Sequence, residues 1–326
     1  MKNTTFIDLF AGIGGFHQAM SSFGSKCVFA SEWDKYASET YYQNYGLHPY
    51  GDITLIHEKE IPSHDVLCAG FPCQAFSISG KQKGFEDTRG TLFFDIARIV
   101  SFHKPKIVFL ENVKNLTKHN DGKTFQVIVN ILQELGYNIF YKIFNSSDFG
   151  LPQNRERVYI VGFHQSWDSK TFTFPIPPKI PVNLFSILEE NPKKLKIIER
   201  DDIQIYKNHQ SQNSHFEEEY YPNKPIQIGI VNKGGQGERI YHPVGHSITL
   251  SAYGGGVGAK TGLYFIDGKI RKLTPRECAR LQGFSDDFII HSSETQAYKQ
   301  FGNSVPINVL KEIIKEIKKI VKRNHE

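Results

Sequence analysis

Short apolar runs alternate with longer, helix-like stretches over the first 165 residues of the chain. The apolar runs predict six β-strands, at residues 5–10, 26–31, 65–69, 107–110, 138–144 and 158–163. The stretches between them predict helices, among them 15–23, 35–45, 93–102 and 122–135. This alternation is typical of an α/β fold with a doubly wound, mostly parallel sheet, in which functional loops meet at the carboxyl ends of the strands.

A cluster of prolines ends this pattern, because proline can continue neither a helix nor a central strand. The cluster consists of Pro175, Pro177, Pro178 and Pro181. Beyond it come a polar stretch and then a Gly-rich segment with strand-like pieces at 226–231, 247–250 and 262–266. From Val305 to Val321, apolar residues at helical spacing predict a helix with one buried face.

These changes of pattern divide the chain into four parts. We expect a larger first domain at 1–180, whose strand ends would hold any catalytic and cofactor-binding groups, and a smaller, irregular β-rich domain at 181–274. We further expect a hinge segment at 275–302 and a C-terminal helix within 303–326 that returns to the first domain.

Composition and charge narrow the class of protein. With 326 residues, 39% of them apolar, the chain can form one large and one small folded domain. Its start has no signal-peptide pattern and it has no long apolar run, so we expect a cytoplasmic protein without membrane contact. The net charge is +5, and residues 232–276 alone contain seven basic and two acidic residues, which favours a nucleic-acid partner, although a solvated basic face would look the same.

A strand, a Gly-rich turn and the start of a helix follow one another at residues 6–16. Glycines such as Gly12 and Gly14 let a ligand approach backbone amides at the start of the helix. Glu32, at the end of the next predicted strand, can accept hydrogen bonds from both hydroxyls of a ribose. The other candidates for this pocket are Trp33, Asp52 and Ile53. Each acid could equally cap a helix, but together these residues favour an adenosine pocket.

Cys73 directly follows a predicted buried strand and Pro72. At the start of a loop or helix, amide dipoles favour the thiolate, which is the nucleophilic form. Taken alone, a Pro-Cys pair is more often structural. The four cysteines are too few for a disulfide framework, and Cys68 with Cys73 lacks the second pair that a zinc site needs, so we expect no metal site.

Five motifs occur in the order found in the C5-cytosine DNA methyltransferases. They are Phe-Ala-Gly-Ile-Gly-Gly-Phe at 10–16, Gly-Phe-Pro-Cys-Gln at 70–74, Glu-Asn-Val at 111–113, Gln-Asn-Arg-Glu-Arg at 153–157 and Gly-Asn-Ser-Val at 302–305. The chain therefore resembles this family over nearly its whole length, and least between 174 and 225. Two further segments, 80–87 and 234–241, are similar to one particular member of the family.

The resemblance implies a Rossmann-like methyltransferase fold with a target-recognition domain, and a covalent mechanism. Cys73 would add to carbon 6 of cytosine, while Glu111 would supply the hydrogen bond or proton at N3. Arg155 and Arg157, two residues apart on an extended piece, are expected to face the same side, with Arg157 at the base and Arg155 beside it. No side chain is an obvious base for the proton on carbon 5, so we expect water to remove it.

S-adenosyl-L-methionine is the methyl donor that the resemblance implies. The residues predicted to contact it are Phe10, Gly12, Gly14, Glu32, Trp33, Asp52, Ile53, Pro72, Leu92, Asn303 and Ser304. The cytosine must lie against both the thiol and the sulfonium, so it must be flipped out of double-stranded DNA. We expect the loop at 77–90 to close over it, with Ser79 and Lys81 contacting the DNA.

The second domain is expected to read the DNA sequence, because its glycine turns at 234–237 and 254–256 allow close approach to a groove. Arg239 is predicted to contact a guanine, Gln236 to fill the gap left by the flipped base, and Tyr253 to support the second turn or a phosphate. The implied site is a short GC-rich palindrome that could contain GCGC, and longer sites around that core stay open. We expect a monomer on DNA in a restriction–modification system, with the restriction endonuclease as a functional but not a physical partner.

Three other functions stay open. Some relatives in this family act on transfer RNA, although the basic Gly-rich segment favours DNA. A non-catalytic DNA-binding relative would be expected to lack the nucleophile, yet Cys73, Glu111 and Arg157 are all present. A small-molecule methyltransferase would leave the basic second domain without a purpose.

Overall fold

The computed structural model describes Met1 and residues 4–72, 92–206 and 222–325. The predicted nucleophile Cys73, and the predicted closing loop with Ser79 and Lys81, lie outside the described residues. In the described part of the chain, no helix is long and apolar enough to cross a membrane.

The chain divides into two compact units. The first contains Met1–Phe144, Glu156–Ile176 and Val309–Glu326, and the second contains Asn145–Arg155 and Pro177–Asn308. The prolines that end the strand–helix alternation therefore lie close to a change of unit.

A six-stranded sheet organises the first unit. Its strands are β1 (Thr5–Leu9), β2 (Lys26–Ser31), β3 (Val66–Gly70), β4 (Ile107–Val113), β5 (Tyr137–Asn145) and β6 (Glu156–His164). Their order across the sheet is β2-β1-β3-β4-β6-β5. β1 is parallel to β2 and to β3, and β3 is parallel to β4, whereas β6 is antiparallel to β4. The predicted α/β fold with a mostly parallel sheet is confirmed.

Helices connect these strands, and their bounds are α1 (Gly15–Ser21), α2 (Lys35–Tyr45), α3 (Leu92–His103) and α4 (Lys123–Glu134). Each buries apolar residues at helical spacing; in α4, Phe125, Ile128 and Leu132 belong to the same core as the strands. Because β2 and β3 lie on opposite sides of β1, the strand order reverses at β1. In open α/β sheets, ligands bind at such a reversal, beyond the carboxyl ends of the strands.

The second unit contains a five-stranded sheet of order β11-β10-β9-β8-β7. Its strands are β7 (Gln204–Ile205), β8 (Ile226–Ile230), β9 (Arg239–His242), β10 (Leu263–Ile266) and β11 (Lys269–Arg271). The prediction of a strand at 247–250 is wrong, because these residues form no strand in the structure. Its backbone amides are satisfied elsewhere, because Ser247 donates to the Pro152 carbonyl and Leu250 donates to the Gln153 side chain.

The segment predicted to be a hinge contains two helices, α5 (Pro275–Leu281) and α6 (Glu294–Asn303). Thr274 caps α5, accepting a hydrogen bond from the Glu277 amide while the Glu277 side chain accepts one from the Thr274 amide. A last helix, α7 (Ile307–Arg323), carries the predicted apolar face, and its residues Ile307, Leu310, Ile314, Ile317 and Val321 are all buried. The helix predicted at 305–321 is therefore confirmed.

Candidate active site

The Gly-rich turn after β1 adopts a backbone that favours glycine. The φ angles are +54° at Phe10, +55° at Gly12 and +84° at Gly14, where α1 begins. A Cβ on Gly14 would lie 2.2 Å from the Tyr45 ring, so no other residue fits there without movement. A Cβ on Gly12 would meet nothing within 4 Å, which shows open space on that side of the turn.

Glu32 lies just beyond β2 and holds this turn. Its Oε2 accepts a hydrogen bond from the Gly12 amide at 2.8 Å, and its Oε1 accepts one from the Asp34 amide at 2.8 Å. Burial raises the pKa of Glu32, while hydrogen bonds from the Asp34 and Gly12 amides oppose that rise. A carboxylate has about four acceptor positions, so each oxygen keeps capacity for another donor.

The remaining predicted pocket residues of the first unit differ in their hydrogen bonds and in their exposure to solvent. Asp52 accepts hydrogen bonds from the amide and the hydroxyl of Thr54, so one of its oxygens caps a short 3-10 helix. Trp33 is 80% exposed, whereas Ile53 is 2% exposed and belongs to the core. Trp33 therefore has a free face for a flat ring, and a contact from Ile53 stays a prediction.

The end of β3 leads directly to the predicted nucleophile. The Asn112 side chain donates a hydrogen bond to the Phe71 carbonyl at 2.8 Å, which fixes the chain as it leaves the strand. Pro72, the next residue, is exposed, and Leu92 is the first residue of α3. Asn303 and Ser304 belong to the second unit, so their predicted contact with the cofactor stays a prediction.

Glu111 and Arg157 form a buried ion pair in the first unit. The Glu111 Oε1 to Arg157 Nε distance is 3.1 Å, and the side chains are only 8% and 13% exposed. Both lie at the carboxyl end of β4, where Val113 pairs with Arg157 and Glu111 pairs with Gly70 of β3. The predicted carboxylate is therefore the neighbour of the strand end that precedes Pro72 and Cys73.

Arg155 is held by backbone carbonyls of the second unit. It is 2% exposed, and its guanidinium donates hydrogen bonds to the carbonyls of Leu250 (3.1 Å), Gly302 (3.0 Å) and Ser304 (2.6 Å), all within the second unit. Arg157 instead pairs with a carboxylate of the first unit. Arg155 thus fixes backbone turns of the second unit, and its predicted place beside Arg157 at the base stays a prediction.

The predicted readout residues lie on the glycine turns of the second unit. Gln236, Arg239 and Tyr253 are all exposed. The Arg239 Nε donates to the Gly234 carbonyl at 3.3 Å, which leaves other guanidinium donors for a partner. A Cβ on Gly237 would lie 2.3 Å from the Gly255 carbonyl oxygen, so the two glycine turns pack backbone to backbone.

Glu238, which sequence reasoning missed, braces the first of these turns. Its carboxylate accepts hydrogen bonds from the Asn232 side chain at 2.8 Å and from the Gly235 amide at 2.9 Å. These hydrogen bonds lower the pKa of Glu238. An acid just before a candidate base-reading arginine is the one local signal that could have identified it.

Comparison with known proteins gives consistent matches over most of the chain. Residues 4–319 match the family described as C-5 cytosine-specific DNA methylase. The Type II methyltransferase M.HhaI of Haemophilus parahaemolyticus is 54% identical over 94% of this chain and 92% of its own length. The Type II methyltransferase M.HpaII of Haemophilus parainfluenzae is 48% identical over 96% and 88%, respectively. The crystal structure of S. pombe Dnmt2 methyltransferase has the same fold, with a TM-score of 0.70 at 20% identity, over 98% of this chain and 99% of its own.

Proposed function

Because this chain belongs to the C-5 cytosine-specific DNA methylase family, we propose that it acts on a flipped-out cytosine through a covalent bond from Cys73. The chain is a DNA (cytosine-5) methyltransferase and uses S-adenosyl-L-methionine as methyl donor. Its similarity to M.HhaI extends over 94% of the chain.

The chemistry requires a nucleophile because carbon 5 of cytosine is too weakly nucleophilic to attack a methylsulfonium. In the proposed step, the Cys73 sulfur bonds to carbon 6, and the ring electrons become available at carbon 5. Carbon 5 then takes the methyl group, and water removes its proton as the carbon–sulfur bond breaks. The thiolate is thereby regenerated and cytosine leaves as 5-methylcytosine.

The other three cysteines support Cys73 by being unsuited to this task. Burial raises the pKa of Cys27 to about 12, and it raises those of Cys68 and Cys278 well above the ordinary value. A thiol that stays protonated is a poor nucleophile. Cys73 is therefore the cysteine left for the reaction.

The observation that carries the proposal is the position of Glu111, paired in register with Gly70 at the strand end that leads to Cys73. The Arg157 Nε lies 3.1 Å from the Glu111 Oε1, and both side chains are largely buried. In our proposal the protonated Glu111 carboxyl group donates a hydrogen bond or its proton to N3 of the cytosine, which draws electrons from carbon 6, and it takes the proton back when the carbon–sulfur bond breaks. Arg157 holds the carboxylate in place and contacts the base.

The cofactor is proposed to bind at the turn after β1. Open space beside Gly12 and the remaining acceptor capacity of Glu32 suit a ribose with two hydroxyls, and the exposed face of Trp33 suits an adenine ring. When bound there, S-adenosyl-L-methionine supplies a methyl group activated by a positively charged sulfur. The chain's own part is to orient the methyl donor: Glu32 would accept hydrogen bonds from the ribose hydroxyls, and the turn would leave space for the ribose beside Gly12.

The second unit is proposed to be the target-recognition domain. Its exposed Arg239 would contact a guanine and Gln236 would occupy the place of the flipped base. The resemblance described from the sequence implies a short GC-rich palindrome as the site, with GCGC as the candidate core. We further propose a cytoplasmic monomer that protects DNA from a restriction endonuclease with which it makes no complex.

Labelled S-adenosyl-L-methionine tests this function with duplex DNA and transfer RNA as separate substrates. We expect label only in duplex DNA, and none from a Cys73→Ser variant that still binds the DNA. Cys278→Ser is the matched control. Burial raises the pKa of the Cys278 thiol, so losing that sulfur should not change the labelling of DNA. Label in transfer RNA alone, or full activity of Cys73→Ser, would contradict the proposal.

A further inference from the structure

Tyr45, the last residue of α2, lies directly against the Gly-rich turn. Its hydroxyl donates a hydrogen bond to the Gly14 carbonyl at 2.9 Å and lies 3.4 Å from the Ile13 carbonyl. Its ring occupies the space in which a side chain at Gly14 would have to fit. One residue thus contacts the turn through both a hydrogen bond and a packed ring.

His17 completes this contact from α1. Its ring stacks on the Tyr45 ring, with centroids 4.0 Å apart and planes 12° apart, and its Nδ1 lies 2.6 Å from the Tyr41 hydroxyl. Burial lowers the pKa of His17 to about 4, so the ring is neutral near neutral pH. An uncharged imidazole can pack here without the cost of a buried charge.

Asp8, on β1 two residues before the turn, adds a buried carboxyl group to this set. Burial raises the pKa of Asp8 well above its usual range, an effect that the His17 backbone amide opposes. Burial and then the Asp8 charge raise the pKa of Tyr45, so its phenol keeps the proton that it donates. The phenol therefore stays protonated near neutral pH, where it keeps its hydrogen bond to Gly14.

We propose that Tyr45 is a positioning residue for S-adenosyl-L-methionine: it holds the left-handed turn at Gly14, and thereby keeps the space beside Gly12 open and the Gly12 amide on Glu32. This inference rests on the proposed cofactor site at Gly12 and Glu32. Tyr45 acts on the backbone of the turn, so its effect belongs to cofactor binding and leaves the chemistry at the base unchanged.

Two substitutions on the same helix separate this role from plain core packing. Tyr45→Phe keeps the ring and removes only the hydroxyl. Tyr42→Phe is the matched control, because Tyr42 is 42% exposed and stacks on His48. Loss of one hydrogen bond to a backbone carbonyl corresponds to about a 3- to 10-fold weaker affinity.

Isothermal titration of the full-length enzyme with S-adenosyl-L-methionine measures this directly. We expect Tyr45→Phe to raise Kd and the KM for the cofactor by about 3- to 10-fold. Its kcat at saturating cofactor and its affinity for duplex DNA should stay at the wild-type values, as should every parameter of Tyr42→Phe.

Three outcomes would count against the inference. Wild-type cofactor affinity in Tyr45→Phe would overturn it, and so would an equal loss of cofactor affinity, DNA affinity and kcat, since that pattern indicates general misfolding. A Glu32→Ala variant, titrated in parallel, tests the proposed cofactor site separately from the role of Tyr45. If its affinity for S-adenosyl-L-methionine equals that of the wild type, the proposed cofactor site is rejected, whatever the result for Tyr45→Phe.

Discussion

Replacing Arg155 by methionine should destabilise the protein, because the guanidinium links three backbone carbonyls. Methionine keeps much of the length and removes the donors to Leu250, Gly302 and Ser304. A buried acceptor that loses its donor costs about 1 to 3 kcal/mol. Three such losses come to about 3 to 9 kcal/mol, and relief from burying a charge offsets part of that. We therefore expect the free energy of unfolding to fall by about 3 kcal/mol.

Urea denaturation followed by circular dichroism measures the change. Arg200→Met is the control, because Arg200 pairs with Asp202 on the surface, where ion pairs contribute little. We expect the urea midpoint to fall for Arg155→Met and to stay unchanged for Arg200→Met. An Arg155→Met protein as stable as wild type, yet inactive, would refute this reasoning and return Arg155 to the catalytic machinery.

Three further predictions concern chemistry, readout and pH. Glu111→Gln should lower kcat by about 10²- to 10⁴-fold, because an amide cannot protonate N3, while leaving the cofactor Kd unchanged; equal kcat would remove Glu111 from the mechanism. Arg239→Ala should cost about 1 to 3 kcal/mol of discrimination at one base, seen as methylation of altered duplexes, and unchanged selectivity would exclude it from readout. Burial lowers the pKa values of His17 and His64 from 6.5 to about 4, so only the unfolded chain gains these protons as pH falls through that window. The free energy of unfolding should therefore keep its full value above pH 6.5 and fall towards pH 4 by up to about 3 kcal/mol per histidine. In urea denaturation at a series of pH values, His64→Gln should show a smaller fall than the wild type.

Periodicity predicted the first unit well because its strands β1, β3, β4 and β6 are mostly apolar and almost wholly buried. The predicted bounds of β2 and α2 agree with the structure at both ends. The second unit was harder, because its strands are short and some backbone groups bond to side chains or to distant carbonyls. The stretch at 247–250 reads as a strand, yet the Pro152 carbonyl and the Gln153 side chain take up two of its amides. Three strands were missed because none of them is a continuous apolar run: β7, β9 and β11.

The same division holds for the candidate site. Glu32 was selected from the sequence because it follows a strand end, where the fold itself gathers functional groups, whereas Glu111 was selected through the Glu-Asn-Val motif. The backbone contacts of Arg155 could not be predicted, because its spacing from Arg157 says nothing about partners nearly 100 to 150 positions away. Tyr45 was missed for the same reason, since its contact with Gly14 spans 31 positions.

Covalent capture of the enzyme on a duplex containing 5-fluorocytosine tests the central claim most directly. Fluorine at carbon 5 cannot leave as a proton does, so the enzyme should remain bonded to the base after methyl transfer. Proteolysis and mass spectrometry should then find the modified nucleotide on the peptide that contains Cys73. No captured complex, or capture on Cys27, Cys68 or Cys278, would contradict the account.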